Sequence, residues 1–234
     1  MSATLDADVR EKLRQTAVAT ISAELRRRGY PDMSVDGVHS RVPGSKLVGP
    51  ARTLRFVAYR PDLSDEHGSG YNAQKQAFDG LRAGDVLVIE ARQDPTTGTF
   101  GDVLALRAKV LGAAGIVSDG GVRDSAAVAD IGIPTFTRSV HPAVLGRRHV
   151  PWEKDTTITC GGVAVQPGDI VVGNDDGVVV IPAHLVKEVA DAAAEQEKQD
   201  AWVAERIAEG NPIEGLFPPA GHWKDEFDKW RESH

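Results

Sequence analysis

The spacing of apolar residues changes along the chain, and each change marks an element. Val9, Leu13, Ala17, Ile21 and Leu25 recur at helical spacing, which predicts one helix over residues 7 to 28, stopped by Gly29. Residues 30 to 46 are polar, with Pro and Gly, and read as a loop; residues 47 to 59 read as a strand. The polar stretch 61 to 70 is expected to be a mobile loop, and 71 to 81 a short helix. Val86, Leu87, Val88 and Ile89 form a short apolar run of buried-strand type.

The densest pattern lies between residues 101 and 124. A helix begins at Asp102 and keeps one face small with Ala105 and Ala108; Gly112 and Gly115 mark its stop. Ile116-Val117-Ser118 reads as a short strand, Asp119-Gly120-Gly121 as a sharp turn at its end, and Arg123-Asp124 follow. Further on, 125 to 130 reads as a short helix, 131 to 136 as a strand and 138 to 160 as irregular. Two strands, Ile170-Val171-Val172 and Val178-Val179-Val180-Ile181, flank a glycine-bounded hairpin. A long polar helix runs from 183 to about 209 and stops at Gly210. The tail 211 to 234 carries Phe217, Trp223, Phe227 and Trp230, more aromatic surface than a disordered segment needs, so it is expected to dock on the body or on a neighbouring subunit. With no repeat or clear linker, residues 1 to 234 read as one domain.

Helices alternating with short buried strands define an α/β protein, and alone would suggest a doubly wound sheet. In such folds, ligands gather at strand ends and helix starts, where backbone N–H groups point outward. A helix followed by a strand folds back on itself, so Asp102 is expected near Arg123 and Asp124. Two carboxylates with water suit a hard cation, and a guanidinium beside a helix start suits a carboxylate or enolate oxygen. His39, Arg41 and Lys46 are further candidates for substrate contact.

Composition narrows the classes. The chain has 234 residues with 27 basic and 34 acidic side chains, net charge −7, which disfavours a nucleic-acid binder. The single cysteine, Cys160, excludes an internal disulfide framework and reads as a small buried strand residue. No apolar run is long enough for a membrane helix, and the polar, acidic N-terminus lacks a leader pattern, so a cytoplasmic protein is expected. There is no His-Glu-x-x-His and no Gly-x-Ser-x-Gly. Lys109, the lysine nearest the central motif, lies on the motif helix and reads as solvated rather than as a Schiff-base former.

Asp102, then residues 103 to 122, then Arg123-Asp124 resembles the signature of class II pyruvate aldolases of the 4-hydroxy-4-methyl-2-oxoglutarate type, which share a fold with the regulator of ribonuclease E activity. Leu47-Val48-Gly49-Pro50-Ala51-Arg52-Thr53, Asn72, Gly84-Asp85-Val86-Leu87-Val88, Gly161-Gly162-Val163 through Gly168-Asp169, and Asp175-Asp176-Gly177 through Pro182 are similar to the same family in order, over about residues 40 to 210. The resemblance implies a layered β/β/α swivelling-domain fold with mixed sheets, an N-terminal helix and a long C-terminal helix plus tail, assembled as a homotrimer or homohexamer. It implies cleavage of a 4-hydroxy-2-oxo acid to pyruvate and a second oxo compound, with oxaloacetate decarboxylation at the same site. Asp124 would bind Mg²⁺, Mn²⁺ or another divalent metal directly and Asp102 through water. Arg123 would hold the keto or enolate oxygen, and backbone at Gly101, Val103 and Leu104 the carboxylate. An acidic residue from a neighbouring subunit's last helix, Glu197 or Asp200, would complete the site. The rival expectations are a non-catalytic regulator that binds a ribonuclease, and a lyase or hydrolase acting on a sugar-derived 2-oxo acid. Neither a nucleic acid nor a membrane is an expected partner.

Overall fold

The computed structural model describes residues 5–233. The reading of the N-terminus as leaderless therefore lies partly outside the described residues. The chain begins with helices α1 (Ala7–Gln15) and α2 (Val18–Arg27), followed by strands β1 (His39–Ser40) and β2 (Leu47–Ala58). Helices α3 (Pro61–His67) and α4 (Ala73–Asp79) lead to β3 (Val86–Glu90). Next come α5 (Asp102–Val110), β4 (Gly115–Val122), α6 (Ser125–Ile131) and β5 (Thr135–Val140). Five strands follow: β6 (His149–Lys154), β7 (Ile158–Cys160), β8 (Val163–Val165), β9 (Ile170–Asn174) and β10 (Gly177–Ile181). Two helices, α7 (Val186–Ala208) and α8 (His222–Ser233), complete it.

Strand β2 joins the two halves of the main sheet. Its first residues, 47–50, pair antiparallel with β9, which continues to β10. Its later residues pair parallel with β3 and antiparallel with β6. Beyond β3 the sheet runs parallel through β4 to β5, and β1 closes that edge. The pair β7–β8 forms a separate small sheet. This is the layered fold with mixed sheets that the family resemblance implies, not a doubly wound sheet.

Side-chain alternation builds the layers. Leu87, Ile89 and Ile116 face a core shared with Phe78 of α4, Ala105 and Ala108 of α5, and Val128 of α6. Their neighbours Val86, Val88 and Val117 face the opposite core, shared with β7, β8 and Val171. Ile170 and Val172, alternating with Val171, face a third core against α1, α2 and α7. The continuous apolar runs of β3 and β9 follow from burial on both faces. Cys160 is wholly buried on β7, where desolvation raises its thiol pKa, in keeping with a packing role.

Several local expectations change. The predicted single helix 7 to 28 breaks at Thr16 and Ala17, both extended (ψ 143° and 141°). Periodicity misses the break because the apolar spacing continues across it. Glu197 of α7 reaches this break, accepting hydrogen bonds from Ala17 N (3.1 Å) and Thr20 Oγ1 (2.6 Å). A long-range carboxylate thus takes the place of a local cap at the start of α2. The 61 to 70 segment contains α3 rather than a loop throughout. Pro61 pre-sets its first turn, and the Arg60 fork grips Asp62 at 2.6 and 2.7 Å. The 138 to 160 stretch is not irregular: it completes β5 and supplies β6 and β7. Residues 119–121 do not turn; they continue β4, with a register shift against β5 between Ser118 and Gly121.

The tail docks on its own chain. Trp202 and Val203 of α7 bury against Leu216 and Phe227, with Trp223 and Trp230 packed around them. The Trp202 and Phe227 rings lie 5.4 Å apart, centre to centre. Among the described residues, no helix is long and apolar enough to cross a membrane.

Replacing Glu197 with Ala should lower stability by about 1 kcal/mol, the usual worth of a helix cap. Urea unfolding measures this, and an unchanged midpoint would contradict the capping role.

Candidate functional site

The site is built where the segment before α5 lies along the end of β4. Thr99 N donates to Gly121 O (2.7 Å), Gly121 N to Thr97 O (3.1 Å), and Arg123 N to Phe100 O (2.9 Å). Gly98 and Gly121 form a parallel bridge. This short ladder fixes the start of α5 beside the residues that leave β4. Thr99 is wholly buried and locks the junction from within: its Oγ1 lies 3.0 Å from Ser118 Oγ and donates to Gly121 O at 2.8 Å.

Two glycines permit the close approach. A Cβ on Gly98 would lie 2.2 Å from Cγ of Arg123, so the arginine stem crosses directly over Gly98. A Cβ on Gly101 would lie 2.6 Å from Oδ2 of Asp124. The chain then turns at Asp124 (φ 53°, ψ 41°), a left-handed conformation that aspartate tolerates better than most residues. Val128 N donates to Asp124 O at 2.9 Å, so the turn also starts α6.

The structure brings Asp102 and Arg123 into one cavity of about 340 Å³. Gly101, Val103 and Leu104 line it too, while Gln74 of α4 and His149 of β6 contribute elsewhere to its wall. Asp124 sits at its margin, against Gly101, and lines a neighbouring depression with Arg123 and His141. Arg123 Nη2 is 3.7 Å from Asp124 Oδ2. No side chain caps α5 at Gly101, and Asp102 Oδ1 accepts instead from Val103 N at 2.8 Å. Among the described residues, no three Asp, Glu, His or Cys side chains gather closely enough to hold a metal. Asp124 beside Arg123 and Asp102 in the cavity that Arg123 lines are two carboxylates, a donor set that suits an ion which keeps most of its water.

Other anticipated residues lie elsewhere. Glu197 is at the start of α2, and Asp200 accepts from Gln196 Nε2 at 2.8 Å; neither lines this cavity. Arg41 donates to Thr137 Oγ1 and O, and Lys46 to Arg14 O; these residues and His39 also lie outside the cavity lining. Lys109 is exposed and donates to Gly132 O at 3.3 Å, in line with the solvated reading.

Two residues have roles that the sequence reading did not assign. Asp119 is buried in β4, where it accepts from Ala91 N (2.5 Å) and Gly161 N (3.2 Å) and ties three segments together. Desolvation raises its pKa. His149 is 1% exposed and stacks on Phe56, the ring centres 5.8 Å apart. It begins β6, whose alternation is interrupted by Pro151, so no periodic signal marks it. Burial lowers its pKa from 6.5 to about 4; nearby Arg92 and Arg148 act in the same direction, and Asp94 opposes them.

This chain belongs to the RraA-like family: the family profile described as Aldolase/RraA matches residues 18–180. A protein of Halalkalibacterium halodurans provisionally named 4-hydroxy-4-methyl-2-oxoglutarate aldolase is 37% identical over 161 residues, covering 66% of this chain and 69% of its own. The crystal structure of Streptomyces coelicolor RraAS2, described as an unusual member of the RNase ES inhibitor RraA protein family, superposes with a TM-score of 0.78. It is 33% identical and covers 86% of this chain and 97% of its own. An uncharacterized Pseudomonas syringae protein superposes at 0.79 with 25% identity, covering 92% and 98%.

The depressed His149 pKa has a stability consequence. Between pH 6.5 and about 4 the unfolded chain binds the proton and the folded chain does not. The contribution is fully present above pH 6.5 and is lost as pH falls towards 4, by on the order of 3 kcal/mol at most. His149→Phe should flatten that part of the acid slope in urea unfolding. An unchanged slope would show that another group carries it.

Proposed function

We propose that this chain is a divalent-metal-dependent aldolase that cleaves a 4-hydroxy-2-oxo acid to pyruvate and a second oxo compound. The observation that carries the reading is the convergence of Arg123, Asp102 and the uncapped start of α5 on one cavity, with Asp124 against Gly101 at its margin. The aldolase name of the Halalkalibacterium relative supports it.

In the reaction, the 4-hydroxyl loses its proton and becomes a carbonyl as the C3–C4 bond breaks. The bond's electron pair moves towards C2, and negative charge grows on the former keto oxygen. C3 then takes a proton to give pyruvate. Arg123 is suited to that oxygen, because its guanidinium offers several donors in a fixed plane. The substrate carboxylate fits the start of α5, beside Gly101 and Leu104, where backbone N–H groups and the helix dipole favour an anion. Val103 N–H is already held by Asp102, so Val103 contributes there only if that bond opens. Asp102, with Oδ1 engaged by Val103 N, would use its other oxygen to hold a water and pass a proton. Asp124 would hold Mg²⁺ or Mn²⁺ directly and Asp102 through water. The ion, when bound, would supply Lewis-acid stabilisation of the developing charge. Decarboxylation of oxaloacetate requires the same charge stabilisation and is proposed as a second activity.

The homo-oligomer, a trimer or hexamer, is part of the proposal. Val103, Leu106 and Val110 form an exposed apolar row on α5 beside the cavity, and a neighbouring subunit covering it would shield the site. In that assembly Asp200 is the freer of the two candidate acids, since Glu197 is engaged at α2. The likeness to RraAS2 favours one second reading, a regulator that acts by binding a ribonuclease.

Pyruvate release from 4-hydroxy-4-methyl-2-oxoglutarate, coupled to NADH loss, should depend on Mg²⁺ and stop with chelator. Asp124→Ala should remove it while the protein stays folded, and Arg123→Lys should lower it at least about 100-fold, as loss of a charge-stabilising donor does. Sedimentation should give a mass of three or six chains. No turnover of this acid or of oxaloacetate, combined with ribonuclease binding, would favour the regulator.

A further inference from the structure

We propose that His149 recognises the half of the substrate that lies beyond the pyruvate unit, its Nε2–H donating to an oxygen on C4 or further along the acid. The inference rests on the aldolase reading and assigns a specificity-determining residue to that site.

Helix α4, its cap Asn72 and strand β6 supply part of the cavity wall. Its polar groups are largely engaged within the protein. Gln74 Nε2 donates to Thr99 O, Asn72 Oδ1 accepts from Lys75 N, Asn72 Nδ2 donates to Gly68 O, and Lys75 Nζ donates to Gly70 O. His149 differs. It lines the same cavity, is 1% exposed, and its Nε2 finds no hydrogen-bond partner in the protein. Of the four such buried side-chain atoms among the described residues, those of Ser45, Thr97, Arg138 and His149, only that of His149 belongs to a residue lining this cavity. An unpaired buried polar atom is costly, and substrate-binding sites are where such a cost has a use.

The neighbours decide what Nε2 can do. Arg92 Nη2 lies 3.3 Å from His149 Nδ1. Arginine carries only donors, so Nδ1 must be the acceptor, and in a neutral ring the proton is then on Nε2. Burial and the positive Arg92 keep the ring neutral at physiological pH. His149 therefore carries an uncharged donor at Nε2 and cannot take the 4-hydroxyl proton at that nitrogen. It suits a hydroxyl, carbonyl or carboxylate oxygen. Stacking on Phe56 and the start of β6 hold the ring's plane. On the aldolase reading Arg123 and the start of α5 hold the pyruvate unit, which leaves His149, on β6, for the part that pyruvate lacks.

The test compares wild type with His149→Phe, which keeps a ring against Phe56 but loses the donor, and His149→Gln, whose amide restores one. Two quantities are read in the presence of Mg²⁺: kcat/KM for 4-hydroxy-4-methyl-2-oxoglutarate, and the inhibition constant of pyruvate as a competitor. For His149→Phe, kcat/KM should fall about tenfold, the size expected of one hydrogen bond, while pyruvate inhibition stays within about twofold. His149→Gln should recover most of the loss. Loss of kcat/KM and of pyruvate binding to the same degree would mean a general structural role and would overturn the inference. So would no change in either, which would mean that Nε2 serves an internal water only. Should His149→Phe not fold, the wild-type protein labelled with ¹⁵N-histidine supplies the measurement. The His149 Nε2 resonance should move with 2-oxoglutarate, which cannot undergo this cleavage, and not with pyruvate; an unmoved resonance would overturn the inference. If the wild type cleaves no 4-hydroxy-2-oxo acid, the aldolase reading itself falls and takes this one with it. Cleavage by wild type with unchanged variants removes only the role of His149.

Discussion

Three backbone hydrogen bonds between residues 97–100 and 121–123 set the geometry on which the site depends. They add a short parallel strand-like segment to the end of β4 and so hold the first turn of α5 against the turn that leaves it. The approach is close enough that side chains on residues 98 and 101 would collide with Arg123 and Asp124. Backbone pairing supplies the alignment, glycine the room, and the left-handed turn at Asp124 the exit into α6. Around this junction, Thr99 and Ser118 satisfy one another in the buried interior, and Asp119 anchors the adjoining loop. The paired members Thr99, Ser118 and Asp119 stiffen the junction, whereas Thr97 Oγ1 in the same segment is unpaired.

The layers of the fold serve the same junction. β3 and β4 are buried on both faces, with alternate residues committed to different cores, so a slip of one residue would exchange the two cores. That constraint fixes where β4 ends, and hence where Arg123 emerges. β2 carries the alignment to the antiparallel half, where α1, α2 and α7 cover β9 and β10. The bond of Glu197 to the start of α2 belongs to this distant layer.

Much of this was legible in the chain. The apolar runs at 86–89, 170–172 and 178–181 give β3, β9 and β10, and the helix start at Asp102 is where the sequence places it. The meeting of Asp102 with Arg123 also follows from a helix folding back onto a strand. What was not legible has physical causes. Asp119-Gly120-Gly121 carries turn residues, yet tertiary pairing with 97–99 draws it into β4, and the turn moves on to Asp124. The break between α1 and α2 depends on a carboxylate far away in sequence. β6 contains a proline and little alternation, so His149 gave no signal until its neighbours in space were known.

The family accommodates both an aldolase name and an inhibitor description among its members, so the fold does not decide activity. The decision lies in whether the junction of α5 and β4 holds an ion and a 2-oxo acid together. Gly101→Ala tests this most directly. Its backbone (φ −140°, ψ −166°) suits alanine, so the change adds one methyl group against the Asp124 carboxylate and little else. Calorimetric titration of Mn²⁺ in the presence of pyruvate should show binding to the wild type and binding weakened at least about tenfold in the variant, with the unfolding midpoint nearly unchanged. Equal Mn²⁺ affinity in the two proteins would contradict the account.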